Sequence, residues 1–340
     1  MAKVYAKDQP QGFSNRIEKV AIVGASGQIG KVFTEHLLKN DKHVITAITR
    51  PNSTSKLDER LRVVPVDYSG DDDTAIVDAL RGQQALIITM SIHAPRDSVS
   101  KFVRAASKAG VSYVVPNWFG HEADNDALCD DSMLSPGRDS IRTQVESLGN
   151  ISYLFLGCGF WYEFSLGGGP DRYGFDFGKR SLVLFGDGNV PINTSTWSQC
   201  GRTIASLLSL KEFPDHEMDR SPTLSQFRNS SVYVSSFRLT QRDMFESVKR
   251  VTGTTESDWT ITYESAEQRW KDGQAALQQG NWKVFTKMLY SRMFFPNGDG
   301  DFQSRRSLHN DILGLPVEDL DKSTAVGVQM GESGEVPFSH

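Results

Sequence analysis

The sequence predicts a doubly wound parallel α/β sheet followed by a smaller, mostly C-terminal α+β domain. Three observations support this prediction. Short apolar runs alternate with amphipathic segments through the first half of the chain, and a glycine-rich turn joins the first run to the first helix. Beyond residue 155 the alternation becomes irregular, which indicates a change of architecture.

Strands and helices alternate through the first half of the chain. Apolar runs predict buried parallel strands over 20–23, 43–49, 61–69, 85–90 and 112–120. Helical spacing of apolar residues predicts helices over 31–40, 74–82 and 98–110, and a further strand is expected over 151–160. We therefore expect a loose arm over 1–18, a sheet domain over 19–155, a second domain over 156–320 and a polar tail over 321–340.

The composition is that of a globular chain with a mild acidic excess. Of the 340 residues 38% are hydrophobic, which is enough apolar mass for a core, and the formal net charge is −5. We expect no nucleic-acid partner, because such proteins carry a basic footprint. No signal peptide and no apolar run of about 20 residues is recognisable, so we expect a cytoplasmic protein that does not enter a membrane.

The cysteines give no indication of a metal centre. Cys129, Cys158 and Cys200 are widely spaced, and none is paired with a histidine at the spacing of metal ligands. Sparse cysteines suit a reducing compartment, and we predict no metal site.

A glycine-rich turn follows the first strand directly. Residues 24–30 read Gly-Ala-Ser-Gly-Gln-Ile-Gly, a GxxGxxG motif between a strand and a helix. Glycines let the backbone approach a pyrophosphate, and the free N–H groups and positive dipole end of the helix bind that anion. The motif therefore predicts a dinucleotide site, the alternative being a tight turn that holds no ligand.

Arg50 occupies the position that selects between the two nicotinamide dinucleotides. It lies about 20 residues after the last glycine, where an acidic residue would bind the ribose 2′-hydroxyl of NAD. An arginine can instead pair with a 2′-phosphate, so the sequence favours NADP, the alternative being a solvated surface arginine. Asp67, after the third strand, is a candidate for the adenine amine and equally a plain turn residue.

Four stretches carry a resemblance to a known family: residues 20–30, Arg50, residues 114–120 (VVPNWFG) and residues 157–168 (GCGFWYEFSLGG). Over 19–315 the chain resembles the NmrA-like, isoflavone-reductase-like atypical short-chain dehydrogenases that are common in fungi. The resemblance implies an NADP-binding Rossmann-type domain, a smaller substrate domain, and a strand over 231–239 that rejoins the large sheet. It also implies reduction of a small, often aromatic, secondary metabolite.

The resemblance assigns cofactor contacts residue by residue. The phosphate loop would contain Gly24, Ser26, Gly27, Gln28, Ile29 and Gly30, with Arg50 at the 2′-phosphate. The segment along the ribose would contain Thr89, Met90 and Ser91. The loop near the nicotinamide would contain Pro116 and Asn117, followed by Trp118 and Phe119. Phe160 would belong to the segment that closes over the nicotinamide.

Aromatic residues are concentrated in the segments expected to meet at the nicotinamide. The candidate substrate residues are Trp118, Phe119, Trp161, Tyr162, Phe164 and Tyr173. Such rings can line a pocket for a planar substrate, and they can equally form the core between domains. Tyr162 and His121 are also candidate proton donors, although a structural role is the simpler interpretation of each.

Arg138 stands where reductases of this family carry a lysine, eleven residues before Gly149. Arginine stays charged and transfers protons poorly, but it can orient a carbonyl or stabilise an oxyanion, so Arg138 is the candidate catalytic residue. The chain also contains no Tyr-x-x-x-Lys motif, the usual source of the proton in short-chain dehydrogenases.

These features predict an NADPH-dependent reductase of a small aromatic or polyketide-like secondary metabolite. Two other functions stay open. One is a non-catalytic NADP-sensing regulator that binds a protein partner, and the other is a cofactor-binding fold used for isomerisation or cyclisation. The expected partner of the reductase is a small-molecule substrate, and the sequence leaves the oligomeric state open.

Overall fold

The computed structural model describes residues 4–91, 94–95 and 97–334. The first half of the chain forms β1 (Lys19–Val23), α1 (Gln28–Asn40), β2 (Val44–Thr49), β3 (Arg62–Pro65), α2 (Thr74–Leu80), β4 (Ala85–Ile88), α3 (Ser98–Ala109), β5 (Tyr113–Val115), β6 (Phe119–Gly120), α4 (Asp126–Asp131), α5 (Ser135–Leu148) and β7 (Ser152–Gly157).

The second half forms β8 (Phe160–Trp161), α6 (Tyr162–Leu166), β9 (Phe175–Asp176), β10 (Ser181–Phe185), β11 (Ile192–Ser195), α7 (Trp197–Leu208), β12 (Ser230–Tyr233), β13 (Phe237–Leu239), α8 (Gln241–Thr252), β14 (Thr260–Glu264), α9 (Ala266–Gln278), α10 (Phe285–Met293) and α11 (Leu320–Ser333).

The large sheet has the order β12-β7-β5-β4-β1-β2-β3, with β6 also beside β7, and its strand pairs are parallel. Alternate residues of β1 enter different clusters: Val20 and Ile22 pack on the side of α1 and α7, and Ala21 and Val23 on the side of α2, α3 and α5. Because both faces are covered, β4 is buried along its whole length and β1 is buried from Val20 onward. The predicted doubly wound fold is confirmed.

The neighbour of β7 on one side is a strand that is interrupted at residues 116–118. β5 pairs with the start of β7 and β6 with its end, and the N–H of Leu156 bonds to the carbonyl of Trp118 across the break. Pro116 cannot donate a hydrogen bond to the sheet, so the strand opens here. The side chain of Asn117 is exposed at this opening.

The second domain contains two three-stranded sheets, β14-β10-β9 and β13-β11-β8, and a hydrophobic cluster of its own. The strand predicted over 231–239 is two strands in the structure. β12 extends the large sheet beside β7, while β13 pairs with β11 in the small sheet. Residues 234–236 between them connect the two domains.

The arm predicted to be loose is bound to the body from residue 4 onward. Ile17 lies in the core, the N–H of Ala6 donates to the carbonyl of Pro214 at 2.9 Å, and Asn15 bonds to the carbonyl of Phe213 at 2.8 Å. The expectation of a loose arm was wrong because the polar residues find partners in the segment 211–219.

The segment expected to be a polar tail contains a docked helix, α11. Glycines allow α6 and α11 to pack closely: a Cβ on Gly167 would come within 2.6 Å of the carbonyl oxygen of Gly327. Thr324 is fully buried and lies 2.7 Å from the hydroxyl of Tyr162. The tail prediction was therefore wrong for 321–334, and its last residues, 335–340, lie outside the described part of the chain.

Candidate nucleotide site and aromatic triad

The glycine loop, residues 24–30, is shaped by two glycines that admit no side chain. Gly24 has φ +85°, and a Cβ there would lie 2.3 Å from the carbonyl oxygen of Thr89. A Cβ on Gly30 would lie 2.1 Å from the carbonyl oxygen of Gly24. The hydroxyl of Thr89 lies within 3.1 Å of the carbonyls of both Val23 and Gly24, which ties the end of β1 to the end of β4.

The amino end of α1 presents unused donors to solvent. The helix begins at Gln28 after Gly27, with no side-chain cap and no acidic residue in its first turn. Main-chain N–H groups at the start of a helix have no acceptor within it, and the dipole makes this end electropositive. Ser26, Gly27 and Gln28 are exposed, whereas Ile29 is buried below them. These features fit a pyrophosphate.

Arg50 directly follows β2, and its side chain is exposed. Within the described ranges it takes part in no salt bridge, so its guanidinium is available to an anion. Asp67 is also exposed, and one of its oxygens accepts bonds from the N–H and hydroxyl of Ser69 at 2.9 and 2.7 Å. These two bonds hold the Asp67 pKa below its usual range. The structure thus gives Asp67 the role of a turn residue and leaves its second oxygen for an adenine contact.

The carboxyl ends of the central strands are linked around the predicted nicotinamide position. The side-chain amide of Asn117 donates to the carbonyl of Met90 at 3.0 Å, which joins the segments after β4 and β5. Ser91 follows and is exposed. The N–H groups of Cys158 and Gly159 both donate to the carbonyl of Gly120, at 2.8 and 3.0 Å, so the segment after β7 joins the same edge.

At Phe160 the chain passes from this edge of the large sheet into the second domain. Gly159, with φ +65°, makes the turn, and a Cβ there would lie 2.0 Å from the carbonyl oxygen of Asn193. Phe160 then stacks on Tyr290 of α10, with ring centroids 3.9 Å apart and planes 13° from parallel. Tyr290 therefore belongs to the aromatic environment, and the sequence carried no signal for it because α10 is distant in the chain.

Three partly exposed rings form an aromatic triad beside the linked strand ends: Trp161, Phe164 and Trp197. Their centroids lie 5.7 Å (161–164), 5.8 Å (164–197) and 6.2 Å (161–197) apart. Trp161 and Trp197 pack against the hydrophobic cluster that also contains Ile29 and Phe33 of α1. The triad therefore shares a hydrophobic cluster with α1, the helix whose amino end is the candidate pyrophosphate site. Sequence analysis missed Trp197, which reaches the triad because β11 pairs with β8.

The other aromatic residues predicted for the substrate pocket lie in cores. The indole of Trp118 is buried and donates to the carbonyl of His121 at 3.1 Å. Tyr162 and Tyr173 are fully buried, and the hydroxyl of Tyr173 lies 2.9 Å from that of Thr194. Because their polar atoms are paired inside the protein, these three side chains are not available to a substrate. Phe119 is half-buried and packs edge-on against the ring of Phe33 of α1.

Arg138 is engaged in contacts within the large domain. Its guanidinium is only 4% exposed; Nε donates to Asp139 at 2.7 Å, and Nη1 donates to the carbonyl of Ala123 and lies beside Asp126, both at 2.9 Å. These contacts join the start of α5 to α4 and the segment before it. A structural role explains the position of Arg138, and its catalytic role stays a prediction.

Two sequence-based expectations concern metals and membranes. Among the described residues no group of His, Cys, Asp and Glu side chains is arranged to hold a metal ion. In the same part of the chain, none of the helices combines the length and the apolar character that crossing a bilayer requires.

The comparisons with known proteins agree with this geometry. Residues 24–127 match a family model described as NAD(P)H-binding. "Oxidoreductase aprR" of Aspergillus flavus is 24% identical over 315 residues, covering 90% of this chain and 97% of its own length. "Asnovolin J 5′,6′-dehydrogenase nvfM" of Aspergillus novofumigatus is 28% identical over 245 residues, or 69% of each chain.

Solved structures share the fold over most of the chain. An isoflavone reductase is 20% identical with a TM-score of 0.68, covering 91% of this chain and 98% of that one. The NADPH-dependent quinone oxidoreductase QOR2 of Escherichia coli, solved with NADPH, is 18% identical with a TM-score of 0.63 and coverages of 90% and 98%. Residues 24–127 are therefore an NAD(P)H-binding domain, the chain has an isoflavone-reductase-like fold, and the relatives that it matches are named as an oxidoreductase and a dehydrogenase. The recognition made from the sequence, including the cofactor class, is thereby confirmed.

Proposed function

We propose that the protein is an NADPH-dependent reductase of a small, planar aromatic or polyketide-like secondary metabolite. The observation that carries the proposal is the pair of bonds from Cys158 and Gly159 to the carbonyl of Gly120. These bonds fix the segment that bears Trp161 and Phe164 to the edge of the sheet where the nicotinamide of a Rossmann-bound dinucleotide lies.

The residues of the glycine loop account for binding of the cofactor. The amino end of α1 would hold the pyrophosphate, and Arg50 would pair with a 2′-phosphate and so favour NADPH over NADH. When bound, the reduced nicotinamide supplies a hydride to the acceptor. The aromatic triad would stack on a planar acceptor and exclude water from it.

The fungal relatives support the same class of reaction. One is named an oxidoreductase and the other a dehydrogenase of asnovolin J. The buried, free cysteines, Cys129, Cys158 and Cys200, are compatible with the cytoplasmic location that we include in the proposal. A small-molecule substrate is the partner that this reaction requires.

The test combines cofactor binding with turnover. NADPH and NADH are titrated by fluorescence, and a panel of phenolic enones and quinones is then screened for loss of the absorbance of reduced nicotinamide. We expect tighter binding of NADPH and oxidation of it by at least one acceptor. Tight NADPH binding without turnover of any acceptor would contradict the reductase and favour an NADP-sensing regulator.

A further inference from the structure

Two carboxylates meet the amino end of α7 in unequal settings. Glu318 accepts hydrogen bonds from the hydroxyls of Thr196 and Ser236 and forms an ion pair with Arg202. Glu163 accepts a bond from the main-chain N–H of Trp197 at 3.2 Å, and it takes part in no ion pair within the described part of the chain. Among the described residues, Glu318 is therefore neutralised by an ion pair, whereas Glu163 is not.

Glu163 is close in the chain to two residues of the aromatic triad and is hydrogen-bonded to the third. It is in the first turn of α6, two residues after Trp161 and directly before Phe164. Its carboxyl accepts a hydrogen bond from the main-chain N–H of Trp197, the third residue of the triad. The residue is only 8% exposed, so a charged carboxylate there would be poorly solvated.

The groups that face Glu163 leave its carboxyl protonated over part of the neutral range. Burial is the main cause that raises the Glu163 pKa, to about 7, and the neighbouring Glu318 carboxylate acts in the same direction. The main-chain N–H groups of Glu163 and Trp197 act against this rise, as does Arg202, which is already paired with Glu318. The pKa of the Cys200 thiol is itself raised well above its usual range by the Cys158 thiol and by burial, and burial raises the pKa of the Tyr162 hydroxyl as well. Glu163 is thus the group of this cluster that can release a proton near neutrality.

The other candidate donors are held in structural contacts. His121 is buried, lies 3.0 Å from the hydroxyl of Ser132, and has a pKa lowered to about 4 by burial and by neighbouring Arg292 and Arg138. The hydroxyl of Tyr162 is paired with Thr324 inside the core. Arginine at position 138 transfers protons poorly.

We propose that Glu163 is the acid that protonates the acceptor during reduction, an inference that rests on the proposed reductase function. The acceptor carbon gains the hydride that reduced nicotinamide supplies, and the electron pair of its C=O or conjugated C=C bond takes the proton from the Glu163 carboxyl. The products are the reduced acceptor, NADP⁺ and a carboxylate, which regains its proton from water. Glu163 would supply the proton in place of the lysine that the family resemblance implies where this chain has Arg138.

The experiment compares Glu163→Gln with Glu318→Gln. Glutamine at 163 keeps the shape and an acceptor for the Trp197 N–H but cannot release a proton. With an acceptor found in the panel, the kcat of the wild type should fall about tenfold per pH unit above the pKa of its acid. Below that pKa, the kcat of Glu163→Gln should be about 100-fold lower than that of the wild type, and it should not decrease further at higher pH. Glu318→Gln should keep the decrease of kcat at high pH. Equal kcat and an unchanged pH profile in Glu163→Gln would overturn the proposal.

A second readout needs neither cofactor nor turnover. A carboxyl whose pKa is raised on folding stabilises the folded state below its unfolded pKa, and that stability is lost as the pH rises through the folded value. Glu163→Gln should therefore raise the Tm relative to wild type at about pH 8 and not at about pH 5. The same Tm difference at both values would contradict a protonated Glu163.

The outcomes separate the two proposals. If wild type oxidises NADPH with an acceptor and Glu163→Gln does so equally well, only the role of Glu163 fails. If wild type reduces no acceptor, the reductase itself fails and the role of Glu163 falls with it.

Discussion

The glycine loop is one contiguous stretch of chain, whereas the aromatic triad is assembled from segments that lie far apart in sequence. In the loop, backbone atoms would bind the cofactor, and a Cβ added to Gly24 or Gly30 would lie less than 2.5 Å from a carbonyl oxygen. In the triad, side chains would contact the acceptor, and all three rings are partly exposed. The loop should therefore tolerate little change, and the triad should be where the acceptor is selected.

The largest effect is expected from Gly30→Ala. Its Cβ would lie 2.1 Å from the carbonyl oxygen of Gly24, so the loop must shift, at a cost of about 3 kcal/mol in the free energy of unfolding and about 100-fold in NADPH affinity. Urea unfolding and fluorescence titration measure the two effects. Gly27→Ala is the matched control, because its Cβ would be 3.2 Å from the same oxygen and φ is −70°, and its unfolding cost should stay below about 1 kcal/mol. Equal costs would mean that the loop is not close-packed.

Arg50→Ala should separate the two nicotinamide cofactors. Loss of a charge-assisted pair with a 2′-phosphate costs about 2 kcal/mol, which is a loss of about 30-fold in NADPH affinity. NADH affinity should change by less than about twofold, since NADH has no 2′-phosphate. Calorimetric titration of both cofactors provides the measurement, and Arg60→Ala, an exposed arginine paired with Asp58, is the control. A similar loss for both cofactors would remove Arg50 from the 2′-phosphate site.

Trp197→Ala should weaken binding of the acceptor and leave binding of the cofactor unchanged. Removing one ring of the triad should lower kcat/KM for a planar acceptor about tenfold, mainly through KM, because stacking area is lost. NADPH affinity should be unchanged. Trp282→Ala is the control, since that indole is 60% exposed between α9 and α10. If the two variants behave alike, the triad does not contact the acceptor.

The smallest effect on turnover is expected from Arg138→Lys. Lysine cannot reproduce the contacts with Asp139, Asp126 and the carbonyl of Ala123, so the free energy of unfolding should fall by about 1–2 kcal/mol. The kcat should stay within about twofold of wild type if the role of Arg138 is structural. A large change in kcat at an unchanged free energy of unfolding would indicate that Arg138 takes part in the reaction.

The glycine loop could be predicted from the sequence because its chemistry depends on neighbours in the chain. Residues 24–30, the strand before them and the helix after them form one short unit, and Arg50 follows at a fixed spacing. The triad could be predicted only in part, since Trp161 and Phe164 lie in a recognisable stretch. Trp197 joins them through the pairing of two short strands, β8 and β11, which have no periodic signal.

Polarity misled the prediction at both ends of the described chain. The arm is polar, but Asn15 satisfies its hydrogen bonds on residues 213 and 215. The segment after residue 320 is also polar on average, yet small residues such as Gly327 let α11 lie against α6. Composition indicates whether a segment can form a hydrophobic core by itself. Both of these segments instead pack on the rest of the protein.

Transfer of deuterium from NADPH labelled at nicotinamide C4 tests the central claim most directly. After incubation of the protein with the labelled cofactor and the acceptor panel, mass spectrometry of the products shows whether the label has moved to carbon. The reductase proposal predicts one deuterium per molecule of reduced acceptor, formed only in the presence of the protein. Retention of the label in NADPH that is tightly bound, with every acceptor recovered unchanged, would contradict it.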